Sequence, residues 1–210
     1  MTHTIKNYAS LILILLITGL SACESSPQLT PLSNNAIILA FGDSLTYGTG
    51  ADKQQAYPAQ LQKMTSKTVI NAGIPGEVSQ TGLVRLAALL KQHQPELLIL
   101  CHGGNDILRH SNLKQTKDNL QQMIDLARAS NTQVALIGVP KFGIFLSPAD
   151  FYQELADSNQ LPIENSVLSE ILADISLKSD QIHPNSKGYK LFAERIYSLL
   201  IHSGAIIEQT

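Results

Sequence analysis

From residue 36 onward, short apolar runs alternate with amphipathic stretches along the chain. The apolar runs fall at Ala36–Phe41, Thr68–Ala72, Glu96–Cys101 and Gln133–Val139, with a weaker one near Leu161–Ile163. They are continuous rather than alternating, as expected of strands covered on both faces. Between them, Tyr57–Met64, Thr81–Gln92, Leu113–Ser130 and Ser186–Ile201 follow a helical period. Leu83, Leu86, Ala87 and Leu90 mark one helix face; Leu120, Met123, Ile124 and Ala127 mark another. The alternation predicts an α/β fold: a three-layer α/β/α sandwich on a parallel sheet of about five strands. No internal repeat and no second domain interrupts it.

The first 35 residues follow a different pattern. Lys6 precedes the apolar run Leu11–Ile17, and Leu20-Ser21-Ala22-Cys23 follows. That apolar run is shorter than the ~20 residues a spanning helix needs, and small residues precede the cysteine. The ending resembles a bacterial lipobox, in which Cys23 receives lipid and becomes the first residue. Residues 1–22 are therefore expected to be a lipoprotein signal peptide. Residues 23–35, with Ser-Ser-Pro, Thr-Pro and Ser-Asn-Asn, are expected to be a tether. The domain is expected over 36–202, with 203–210 as a tail. The implied location is the bacterial cell envelope. Glu24 rather than aspartate after the cysteine points to the outer membrane, facing the periplasm.

Composition narrows the partners. The chain has 210 residues, a net charge of −2 and 44% hydrophobic residues, enough for one buried core. No basic stripe is present, so nucleic acid is not an expected partner. There are two cysteines. With Cys23 lipidated, Cys101 has no partner and reads as a small core residue closing its strand.

Polar clusters follow the apolar runs. In parallel sheets, sites collect at the carboxyl ends of the strands. Gly42-Asp43-Ser44 follows the first run, Asn71 to Glu77 the second, and Gly103-Gly104-Asn105-Asp106 the third. Asp180-Gln181-Ile182-His183-Pro184 precedes the last helix. A serine hydroxyl needs a base to take its proton, and the base needs a partner to hold its tautomer. Ser44, His183 and Asp180 supply those types. Acyl transfer also needs fixed donors for the developing oxyanion. The backbone N–H groups of Ser44 and Gly76 and the amide of Asn105 are candidates. Asp43 is placed to brace the nucleophile turn through nearby backbone.

Together Gly42-Asp43-Ser44-Leu45, Gly76, Gly103-Gly104-Asn105-Asp106 and Asp180-x-x-His183-Pro184 resemble the four blocks of the GDSL, or SGNH, hydrolases. Asn71 to Glu77, continuing through Ser79–Gly82 and Arg85-Leu86, is similar to the thioesterase I, lysophospholipase and arylesterase subgroup. The resemblance spans about residues 36 to 200. It implies a flavodoxin-like sheet, hydrolysis of acyl esters or thioesters, and no cofactor. By position it implies Ser44 as nucleophile, Gly76 and Asn105 as oxyanion donors, Asp180 as orienting acid and His183 as base. Cys101-His102 departs from the subgroup's usual residues. His102, close to the proposed oxyanion loop, is expected to pack behind the site rather than act directly.

Three other readings share these residues. A carbohydrate O-deacetylase would use the same site. A flavin-binding module would place a phosphate in the loop Ser44–Gly50. A metal site would draw on Asp43, Asp106 and Asp180, but no paired His or Cys stands at ligand spacing, so none is expected. The expected partners are a small-molecule or lipid ester and, through the anchor, a membrane. Lys141 to Asn159, with Phe142, Ile144, Phe145, Leu146, Phe151 and Tyr152, is the expected wall of the acyl pocket.

Overall fold

The computed structural model describes residues 28–141 and 146–207; the signal peptide, Cys23 and Phe142–Phe145 lie outside them. Five parallel strands form one sheet in the order β2-β1-β3-β4-β7. They are β1 (Ile37–Gly42), β2 (Thr68–Gly73), β3 (Leu97–Cys101), β4 (Gln133–Ile137) and β7 (Ile163–Glu164). A two-residue antiparallel pair, β5 (Pro140–Lys141) with β6 (Ser147–Pro148), follows β4. The helices are α1 (Ser44–Tyr47), α2 (Tyr57–Thr65), α3 (Ser79–His93), α4 (Gly104–Leu108), α5 (Leu113–Ala129), α6 (Asp150–Asn159), α7 (Val167–Ala173) and α8 (Ser186–His202).

Helices α2 and α8 pack together on one side of the sheet, and α3 and α5 on the other. This is the expected three-layer α/β/α sandwich. The central strands β3 and β4 are buried almost throughout, as their apolar runs require. At the edge, β2 leaves Val69 and Ile70 only half-buried, so the expectation of coverage on both faces fails for that strand. The strand order reverses direction between β1 and β3, and the loops that leave these two strands open a crevice at their carboxyl ends.

Polar side chains fix where helices start. Asn112 accepts from the N–H groups of Lys114 and Gln115 to cap α5. Asn185 does the same for α8 through Lys187 and Gly188. The cap of α3 comes from elsewhere in the chain. The Asp106 carboxylate accepts from Ser79 N at 2.8 Å and from Ser79 Oγ at 2.7 Å. Capping groups of this kind are worth about 1 kcal/mol each. Here the cap also ties the loop after β3 to the loop after β2.

Both ends of the domain are more ordered than the sequence suggests. Residues 28–35, expected within the tether, lie against the domain. Leu29 N donates to Ser203 O at 2.7 Å and Leu32 N to Ala205 O at 2.9 Å. Leu32 and Ala205 are both buried in the core. The strap and the first residues of the expected tail thus cover each other's backbone groups. Apolar Leu29, Leu32, Ala205 and Ile206 supply the burial that holds them.

Candidate active site

Gly42 ends β1 where no side chain fits: a Cβ there would lie 2.0 Å from the Cys101 carbonyl oxygen. The chain turns at once into α1. Asp43 occupies its N-cap and accepts from Leu45 N at 3.0 Å. Ser44 is therefore the first helical residue, with its N–H at an unpaired helix terminus. Its hydroxyl faces a small open cleft, about 20 Å³ in volume, at the carboxyl edge of the sheet. Asp43, Leu45, Gly104, Asn105, Leu108, Val139, Leu172, Ile182 and His183 line the rest of it.

The loop before α8 delivers the histidine. Ser179 N donates to His183 O at 2.9 Å and Asn185 N to Leu177 O at 2.9 Å, closing the loop on itself. His183 Nε2 lies 3.0 Å from Ser44 Oγ across 139 residues of sequence. His183 Nδ1 lies 2.8 Å from Asp180 Oδ2. An ionised carboxylate only accepts, so Nδ1 carries the proton and Nε2 presents its lone pair to the Ser44 hydroxyl. Asp180 Oδ1 accepts from the N–H groups of Ile182 and His183 at 2.8 and 2.9 Å. Partial burial raises the Asp180 pKa, but the His183 ring and these two N–H groups outweigh it. The net direction is below the ordinary carboxylate value.

Asn105 reaches the same cavity from α4. Its amide nitrogen is 3.2 Å from Asp43 Oδ2 and 3.1 Å from the Glu77 carbonyl oxygen. Both amide protons are thus engaged while no substrate is bound. Gly76, at φ +77°, makes the turn one residue before Glu77, and its carbonyl accepts from Arg109 at 2.9 Å. Gly76 is exposed and is not among the residues lining the cavity at Ser44. The structure therefore gathers Ser44, Asp180, His183 and Asn105, and leaves Gly76 in the adjoining loop.

Beneath this edge lies a second, buried polar group. His102, with no exposed surface, has Nε2 3.1 Å from Glu77 Oε2. Its Nδ1 accepts from Gly103 N at 2.9 Å. Arg85 holds the same Glu77 carboxylate through Nε and a terminal nitrogen, and stacks 4.3 Å over the Phe41 ring. Desolvation raises the Glu77 pKa, but the hydrogen bonds from His102 and Arg85 with the Arg85 charge bring it below the ordinary value. Asp43, 1% exposed, is pushed the other way, because burial outweighs the pull of His102 and the Leu45 N–H.

The acyl-wall expectation needs correction. Phe151 and Tyr152 point into the core, and the Tyr152 hydroxyl donates to the His102 carbonyl at 2.7 Å. Phe142, Ile144 and Phe145 lie outside the described residues. Among the described residues, the apolar walls come from Leu108, Val139, Leu172 and Ile182. Val139 and Ile182 stand at recognisable places, just past β4 and inside the Asp-x-x-His block. Leu172 sits on α7, whose seven residues are too few for a clear period.

Residues 40–191 match the GDSL-like Lipase/Acylhydrolase family. The chain belongs to this family. This GDSL hydrolase is 36% identical over 165 residues to the Escherichia coli K12 protein "Thioesterase 1/protease 1/lysophospholipase L1", covering 75% of this chain and 79% of that one. It is 30% identical over 175 residues to an arylesterase of Vibrio mimicus, covering 78% and 88%. Among solved structures, the psychrotrophic esterase EstA from Pseudoalteromonas sp. superposes with a TM-score of 0.71 at 27% identity, covering 79% of this chain and 97% of that one. The protein is thus an SGNH-type ester hydrolase. The flavin-binding reading of Ser44–Gly50 gives way to this family membership. The loop is also occupied by the protein itself, with the Tyr189 hydroxyl on the Thr49 carbonyl at 2.9 Å.

Proposed function

We propose that this hydrolase cleaves acyl esters or thioesters of the arylesterase, lysophospholipase or thioesterase type, with Ser44 as nucleophile. The observation that carries the proposal is the hydrogen-bonded line from Ser44 Oγ through His183 to Asp180, opening on a cavity with apolar walls. Ser44 Oγ attacks the acyl carbonyl carbon as its proton passes to His183 Nε2. The carbonyl oxygen gains the negative charge and meets the Ser44 N–H and the Asn105 amide. Asn105 turns one proton from its resting acceptors to this oxygen. The tetrahedral species then collapses, and His183 gives the proton to the departing alcohol or thiol. A water, deprotonated by His183, releases the acyl group from Ser44 and restores the site. Asp180 keeps the ring oriented and balances the imidazolium. The Gly76 N–H, in the loop beside Asn105, remains the candidate third oxyanion donor.

The names of the relatives support this substrate class, and the side chains of Leu108, Val139, Leu172 and Ile182 favour an acyl chain over a carbohydrate. Comparing p-nitrophenyl acetate with longer p-nitrophenyl esters tests the reading. Turnover should persist or rise as the chain lengthens beyond acetate. Activity confined to acetyl esters of sugars would replace it with O-deacetylation.

We further propose that Cys23 carries lipid and holds the enzyme at a bacterial envelope membrane, the outer membrane on its periplasmic side. The support is Leu20-Ser21-Ala22-Cys23 behind a short apolar run. Among the described residues, no helix is long and apolar enough to cross a membrane. Labelled palmitate should enter the wild type and be absent from Cys23→Ser. Equal labelling of both proteins would remove the anchor.

A further inference from the structure

We propose that the anchored enzyme sits strap-side down on its own bilayer and holds its catalytic edge away from it. Its substrates are then esters that arrive through water or on another surface, not the acyl lipids of the membrane that carries it. The inference rests on the esterase and Cys23-anchor readings above and adds an orientation that follows from the strap.

The strap is fixed at the pole opposite the site. In a parallel sheet all strands start at one edge and end at the other. Thr30 N donates to Gln133 Oε1 at 2.6 Å, and Gln133 Nε2 returns a bond to the Thr30 carbonyl at 3.0 Å. Gln133 is the first residue of β4. Ser33 N donates to Glu96 Oε2 at 2.9 Å, and its hydroxyl bonds the other Glu96 oxygen. Glu96 directly precedes β3. With the bonds of Leu29 and Leu32 to Ser203 and Ala205, the strap is pinned along the starting edge of the sheet. Ser44 and Asn105 lie just past the opposite edge, at the ends of β1 and β3.

Chain length then decides the orientation. Four residues, Glu24 to Pro27, separate Cys23 from Gln28. Five residue steps reach at most about 18 Å when fully extended. The strands alone separate the two edges by about 17 Å, and a domain of this size is roughly 40 Å across. Turning the catalytic edge onto the bilayer would lift Gln28 roughly 30–40 Å above it, about twice what the tether spans. A free tether running to residue 35 would reach about 43 Å and allow that turn. Docking of residues 28–35 is what forbids it.

The test reconstitutes the full, lipidated chain in phospholipid vesicles. One probe is p-nitrophenyl butyrate in the surrounding water. The other is a fluorogenic glycerophospholipid ester placed in the same vesicles and chosen because the detergent-solubilised enzyme hydrolyses it. Wild type should hydrolyse the soluble probe as fast on vesicles as in detergent. Its turnover of the same-bilayer probe should be at least tenfold below that of a variant with twenty Gly/Ser residues inserted between Glu24 and Ser25. Equal turnover of the bilayer probe by the two forms would overturn the orientation. The failure of the anchor is seen separately, as vesicle-free protein without palmitate label. Loss of the esterase reading is seen as inactivity toward the soluble probe.

Discussion

Among the described residues, two histidine–carboxylate pairs lie within one edge, and their fates differ. His183 with Asp180 lies at the surface: the histidine side chain is 13% exposed and the aspartate 52%. His102 with Glu77 is sealed, at 0% and 3%. The first pair leaves one ring nitrogen for the Ser44 hydroxyl. The second spends both ring nitrogens on fixed partners, Glu77 and the Gly103 N–H. A histidine can move a proton only when one nitrogen faces a group that reacts. The pair motif therefore does not make a base; the third partner does. The buried pair instead links two loops of the site. The Glu77 carbonyl holds Asn105, and the His102 ring holds the glycine turn that leads to it.

This division of labour predicts a graded series of variants, read as kcat and KM on a p-nitrophenyl ester with melting temperature alongside. Ser44→Ala or His183→Ala should lower kcat by up to about 10⁶ with the melting temperature little changed. A variant at either position that keeps most of its turnover would remove that residue from the chemistry. Asp180→Asn should lower kcat by about 10⁴ with KM nearly constant, since the amide stabilises the wrong imidazole tautomer. A loss confined to KM would assign Asp180 to binding. Asn105→Ala should cost about 10²–10³ in kcat if its amide meets the oxyanion. An unchanged kcat would leave Asn105 as a brace between Asp43 and Glu77 only.

His102→Leu is the sharpest check on the comparison. It leaves the buried Gly103 N–H without its partner, a cost of about 1–3 kcal/mol, removes one of the two donors on Glu77 Oε2, which Arg85 still holds, and disturbs the packing of a fully buried ring. The melting temperature should fall by on the order of 5–10 °C, at about 2–4 °C per kcal/mol. Turnover per folded molecule should stay within about tenfold of wild type, because no proton passes through this ring. A loss as deep as that of His183→Ala would abolish the distinction between the two pairs.

The smallest expected effect concerns pH. Burial raises the Asp43 pKa in the folded state, so the folded protein binds this proton more tightly than the unfolded chain. Its contribution to stability is then highest in acid and declines as pH rises from about 4 through the raised folded value. Asp180, held below its ordinary value, has the opposite sign: its contribution is present above the unfolded value and fades as pH falls through the folded one. The wild-type melting temperature minus that of Asp43→Asn should therefore shrink with rising pH across the first window. A difference that grows there would mean that Asp43 is stabilised as the anion.

Much of this was legible before the fold was known. Strands β1 and β3 are apolar over five or six residues, β4 is apolar after its first residue Gln133, and α5 and α8 show long helical periods, so local pattern located them. Helices α1 and α4 are hidden because Gly-Asp-Ser and Gly-Gly-Asn-Asp read as turns, and only the backbone after each strand shows them to be helical starts. Helix α6 reads as a pocket wall in the sequence because Phe151 and Tyr152 are apolar wherever they point. Asp106 was legible as a polar residue in a site block, yet its work is to cap α3 from another loop. That bond depends on two loops meeting side by side.

The sequence by itself determined the alternation of strands and helices, the order of the four site blocks, and the residue types that chemistry needs. These are local properties, carried by periodicity and by neighbours a few positions apart. Tertiary structure alone decided which histidine meets Ser44, where the apolar wall stands, and that residues 28–35 are bound rather than free. Each depends on groups far apart in the chain: His183 and Ser44 are 139 residues apart, Thr30 and Gln133 are 103 apart, and Glu77 and His102 are 25 apart. Such pairs come together only because parallel strands begin at one edge of the sheet and end at the other, which sorts a strap and a catalytic site to opposite poles.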